Sequence, residues 1–82
     1  MKKDPQQILA ELHPIFHEVF EDPALTITQE TSAEDIGNWN SLTHMNLIVE
    51  VEKHFQCEFS FTEAMSFANV GDMIQAIQHK LI

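Results

Sequence analysis

The chain has 82 residues, 44% of them apolar, and carries 13 acids against 4 lysines for a net charge of −9. That length suits one domain spanning 1–82 and excludes a two-lobed enzyme with a cleft between domains. The charge excludes nucleic-acid wrapping and electrostatic capture by anionic lipid, so partners should be neutral or basic.

The acids are also segregated. Ten of them lie between Asp4 and Glu52 before the first internal lysine, Lys53. Such a field steers cationic surfaces toward the chain and slightly destabilises it by self-repulsion. Cys57 stands alone, which excludes an internal disulfide or a CxxC motif and fits a reducing compartment. No apolar run reaches the roughly 20 residues that a bilayer requires. Met1-Lys2-Lys3 leads into Asp4-Pro5 rather than an apolar leader, so a cytoplasmic location is expected.

Asp4-Pro5-Gln6-Gln7 reads as a helix start, with Asp4 as cap, Pro5 at the first position and Gln7 as capping-box partner. Ile8, Leu9, Leu12, Ile15, Phe16, Val19 and Phe20 recur at helical spacing and give one buried stripe. Pro14 should kink this helix near His13, and Glu21-Asp22-Pro23 should end it. His13 and His17 are four apart on one face. Zinc would need further ligands, and Pro14 disturbs the register, so a solvated pair is the expectation.

Residues 22–40 form a connection of unusual length for a small domain. Leu25 and Ile27 can pin it, residues 31–35 suggest a helical turn, and Gly37-Asn38 is turn chemistry. Trp39 should cover the junction with the following helix, with contact to a partner also open.

A second helix runs from about Ser41 to Phe55. With Leu42 at zero on a helical wheel, Leu47, Ile48, Val51 and Phe55 fall between ~140° and ~240° as a core stripe. Leu42, Met45 and Val49 form a second apolar strip between ~300° and 0°, and Thr43, Asn46, Glu50 and Lys53 make the wet side. The apolar arc is wider than a bundle helix needs. Either the long connection buries the strip, or it faces a partner or tethered group. Ser41 is open in the same way. It is a preferred cap residue, but a helix N-terminus also presents free N–H groups and a positive dipole suited to an attached phosphate.

Ser60-Phe61-Thr62-Glu63 reads as a capping box opening a short third helix that ends near Phe67. Asn69 should cap a fourth, with Asp72 in its first turn and Val70, Met73, Ile74, Ile77 and Leu81 buried. The expected fold is all-α: a small antiparallel four-helix bundle with a long first loop and a short third helix.

The stretch Gly37-Asn38-Trp39-Asn40-Ser41-Leu42-Thr43-His44-Met45-Asn46-Leu47-Ile48, continuing to Lys53-His54-Phe55, resembles the attachment region of acyl carrier proteins. Glu58-Phe59-Ser60 and Val70-Gly71-Asp72 resemble the family's entries to its third and fourth helices. The resemblance implies a carrier, not an enzyme, with 4′-phosphopantetheine on Ser41. A phosphopantetheinyl transferase would load it from coenzyme A, Mg²⁺ being needed by the transferase only. The chain itself would bind no metal. Asn40 and Leu42 flank the attachment, and Leu42, Met45, Val49 and Trp39 would meet acyl-loading and acyl-transfer enzymes. A monomer without membrane insertion is implied.

The family's residue before the serine is Asp, and here it is Asn40. An uncharged amide is a poorer Mg²⁺ neighbour, so slower loading or a dedicated transferase follows, and Asn40→Asp should load faster. Thr43, His44, Asn46, Lys53 and His54 stand where the family often has acids, which points to a specialised pathway. Fatty-acid, polyketide, nonribosomal-peptide and polysaccharide pathways all use such carriers. Two alternatives stand beside this reading: an aminoacyl or peptidyl carrier, and a cofactor-free helical interaction module. An autonomous hydrolase built on Ser41 and His44 lacks the G-x-S-x-G context. Cys57, next to an acid, is expected to be an inert filler.

Overall fold

The computed structural model describes residues 4–80. They form four helices: α1 (Pro5–Val19), α2 (Ser41–Phe55), α3 (Phe61–Met65) and α4 (Val70–Lys80), with no strand among the described residues.

α1 begins at the expected cap, although the Gln7 side chain does not return a bond to close a box. The Asp4 carboxylate accepts the Gln7 N–H at 2.8 Å, and Pro5 opens the helix where an N–H has no partner to lose. α1 continues through Pro14 to Val19, because Ile8, Leu12 and Phe16 are fully buried along one face and hold the following turn to the core. It closes with the Asp22 N–H on the His17 carbonyl and the Glu21 N–H on the Glu18 carbonyl, a Schellman turn.

The core joins that face to Leu47, Ile48 and Val51 of α2 and to Val70, Met73, Ile74 and Ile77 of α4. Each such side chain contributes about 1.5–3 kcal/mol by leaving water. α2 runs antiparallel to α1. Its N-terminal flank, Trp39, packs on Phe16 and Phe20 near the end of α1, with ring centroids 5.6 and 5.8 Å away. Near its C-terminus, His54 Nε2 lies 2.8 Å from Glu11 of α1. α4 ends where α2 ends: Lys80 pairs with Glu63 at 3.2 Å and sits over the Phe59 ring, while the Phe59 N–H bonds the Glu52 carboxylate.

Several expectations change. α3 stops at Met65 rather than Phe67, and Ser66 turns its hydroxyl onto the Glu63 carbonyl. Ser60 caps it, but Glu63 reaches Lys80 instead of closing the box. Residues 31–35 do make the expected single turn, with the Asp35 N–H on the Ser32 carbonyl. Leu81 lies outside the described residues.

The long connection is firmly anchored. Ile27 and Ile36 are buried, and Leu25 packs against the core. The expected solvated histidine pair is in fact a staple. His13 donates from Nδ1 to the Leu9 carbonyl and accepts the Ile27 N–H at Nε2, 3.2 Å away. His17 donates from Nε2 to the Leu25 carbonyl at 2.6 Å. The first N–H groups of α4 also reach the connection, Val70 donating to the Thr31 carbonyl and Gly71 to the Gln29 carbonyl, both at 2.8 Å. A Cβ on Gly71 would sit 3.0 Å from that Gln29 oxygen, so the close approach requires glycine.

α2 ends on Gln56 in the left-handed region, φ 54° and ψ 50°. A non-glycine residue is strained there. Gln56→Gly should therefore raise unfolding stability by about 0.5–1 kcal/mol, read as a higher urea midpoint at unchanged slope. An unchanged midpoint would show that the Gln56 backbone is relaxed.

Candidate functional site

The start of α2 is shaped by two neighbouring residues that could each have capped it. The cap is Asn40. Its Oδ1 accepts the Leu42 N–H at 3.0 Å and the Thr43 N–H at 3.1 Å, and Thr43 Oγ1 accepts the Asn40 N–H at 2.8 Å while donating to the Asn38 carbonyl. This is a closed capping box, the one reciprocal box among α1, α2 and α3. Ser41 is thus the first helical residue, not the cap. Its side chain is exposed, and its hydroxyl makes no hydrogen bond to any described residue.

The same geometry corrects a second expectation. The Leu42 and Thr43 N–H groups are taken by Asn40, so they are not free for a phosphate. What favours an anion at Ser41 is the helix dipole, together with the absence of any acid in the first turn.

His44 departs most from expectation. It is buried at 8% exposure rather than on a wet or acidic face. Its ring lies edge to edge with that of Trp39, with centroids 6.0 Å apart and planes 20° from parallel. Trp39 Nε1–H can only donate, and it donates to His44 Nδ1 at 3.0 Å. His44 Nε2–H donates to the Ala64 carbonyl at 2.8 Å. Both ring nitrogens are engaged, so the ring is a brace between the connection, α2 and α3, and no base for Ser41. Its wheel angle of ~200° lay inside the core stripe and was the signal available in sequence.

Ser41 sits on the rim of a cleft of about 280 Å³ lined by Ala33, Trp39, Asn40, Ser41, His44, Met65, Phe67 and Ala68. Trp39 closes the junction as anticipated. The second strip on α2 is open to solvent, with Leu42 73%, Met45 37% and Val49 44% exposed. α3 adds Phe61 and Met65, which are also exposed. Sequence reading missed these two, since a spacing of four on a short helix reads as core.

Charge near Ser41 is sparse. Each described lysine is paired away from it, Lys53 with Glu50 and Lys80 with Glu63. Burial, with Glu52 nearby, pushes the Cys57 thiol above its ordinary range, which keeps it inert at neutral pH. No group of side chains among the described residues could hold a metal ion, and none of their helices is long and apolar enough to cross a membrane.

The model of the family described as "Phosphopantetheine attachment site" matches residues 10–77. The fold is similar to the solution structure of a holo acyl carrier protein from Geobacter metallireducens, at a TM-score of 0.83 and 46% identity, covering 89% of this chain and 84% of that one. No curated protein matches in sequence.

Proposed function

We propose a specific role for this chain, which belongs to the acyl carrier protein family: it bears its prosthetic arm on Ser41 and presents acyl groups to partner enzymes. As a family member it is a carrier rather than an enzyme, and its cofactor is covalent 4′-phosphopantetheine. The terminal thiol of that group supplies the chemistry, holding acyl groups as thioesters.

The residues fit the group. The observation that carries the reading is the Ser41 hydroxyl, exposed and without a hydrogen-bond partner on a helix whose cap is made by its neighbour. A phosphodiester there meets a positive dipole and no first-turn acid. Serine needs a base to become a nucleophile, and His44 has both nitrogens engaged. The base therefore belongs to the phosphopantetheinyl transferase, which also brings its Mg²⁺.

Leu42, Met45 and Val49 offer partners an apolar strip beside the arm, with Trp39 behind the attachment point. Leu42→Ala should weaken binding of an acyl-transfer partner by about tenfold or more, since docking buries a leucine side chain. The fold should hold within about 0.5 kcal/mol, because Leu42 is 73% exposed. A titration showing unchanged affinity would place the docking surface elsewhere.

A specialised pathway is favoured over bulk fatty-acid synthesis. The structure narrows the support to Asn40, Asn46, Lys53 and His54, since His44 is buried and Thr43 closes the cap. We place the chain in the cytoplasm as a single-domain monomer, on the basis of its lone cysteine and its size. The test is mass spectrometry after incubation with coenzyme A, Mg²⁺ and a broad-specificity transferase. One phosphopantetheine per chain, mapped to a peptide containing Ser41, supports the reading, and a bare chain favours a cofactor-free interaction module. The species that loads onto the arm in cell extract separates acyl from aminoacyl carriage.

A further inference from the structure

We infer that the side-chain amide of Asn40 donates a hydrogen bond to the phosphodiester on Ser41, so that this chain holds its arm with a neutral donor at the position before the serine. The inference rests on Ser41 as the attachment point. The orientation of the amide is fixed by its partners. Asn40 Oδ1 accepts two backbone N–H groups, from Leu42 and Thr43, at 3.0 and 3.1 Å. A flipped amide would set its NH₂ against two donors and lose both bonds, so the network fixes the oxygen inward and the nitrogen outward. The outward Nδ2 then carries two hydrogens with no acceptor among the described residues, on an exposed side chain.

The neighbouring side-chain donors are already committed. The cleft on whose rim Ser41 sits holds three other side chains that can donate or accept in ordinary hydrogen bonds: Trp39, Asn40 and His44. Trp39 Nε1–H is taken by His44, and His44 Nε2–H by the Ala64 carbonyl. Thr43, one turn on, uses its hydroxyl between Asn40 and Asn38. Apart from the Ser41 hydroxyl, which the arm replaces, Asn40 Nδ2 is the uncommitted side-chain donor at this edge. An anion tethered to the next residue is the acceptor it lacks. A carboxylate in its place would keep the capping oxygen but turn a second, negative oxygen toward the phosphodiester, so Asn40→Asp keeps the fold and reverses the interaction.

The test is nitrogen-15 NMR of the chain before and after loading, with mass spectrometry confirming one adduct on Ser41. The Asn40 side-chain amide should shift downfield on loading, further than those of Asn38, Asn46 and Asn69. The phosphorus-31 resonance should differ between loaded wild type and loaded Asn40→Asp, and only the variant's should move as pH crosses the carboxylate titration range. A loaded protein whose Asn40 amide stays still overturns this inference and leaves Ser41 as the attachment point. A chain bare at Ser41 overturns both.

Discussion

Ser41→Ala abolishes loading completely and leaves the domain as stable as before, or slightly more so. Were Ser41 the cap of α2, alanine would lower stability by about 1 kcal/mol. Asn40 and Thr43 perform the capping, and the Ser41 hydroxyl bonds to no described residue. Alanine at the first helical position therefore removes no contact and gains a few tenths of a kcal/mol from helix propensity. Urea denaturation beside intact-mass analysis reads both. A destabilisation near 1 kcal/mol would return the cap to Ser41, and an adduct on the variant would move the attachment point to another residue.

The reverse pattern is expected at His44, where the chemistry is structural. His44→Ala should lower unfolding stability by about 2–4 kcal/mol. It leaves a cavity beside Trp39 and strands Trp39 Nε1–H and the Ala64 carbonyl. His44→Leu, similar in volume, restores packing but neither hydrogen bond, and should recover only part of the loss. A loss below about 0.5 kcal/mol in His44→Ala would mean that the ring braces nothing. Ser41 stays exposed in the variant, so loading should persist at temperatures where the variant is folded.

Much of this was legible in the sequence for a local reason. Helix starts at Asp4, Ser60 and Asn69 depend on contacts within three residues, and all three side chains accept the expected N–H. The buried stripes of α1 and α4 follow from spacing alone. The exposed strip on α2 was visible because Leu42, Met45 and Val49 exceed what one core face can use.

The failures are equally physical. Asn40 and Ser41 are adjacent and both able to cap, and composition cannot choose between them. The choice is made by the extended backbone of Asn40 and by Thr43 acting as the reciprocal partner. Glu63 has the spacing for a capping box, yet Lys80 competes from a helix away. His13 and His17 bond to residues 25 and 27 across a connection whose path no local pattern encodes. His44 is a polar residue at a core position of the wheel, and its burial depends on Trp39 and the Ala64 carbonyl, which no local pattern places beside it. Glu21 and Gln56 take left-handed backbone without glycine, which leaves no mark in the sequence.

Trp39 is the sole tryptophan of the chain, two residues before Ser41 and hydrogen-bonded to a histidine ring. Its fluorescence is therefore a native optical reporter of that corner. Cargo folding back into the cleft, or a partner lifting it out, would register as a change in emission with no dye attached.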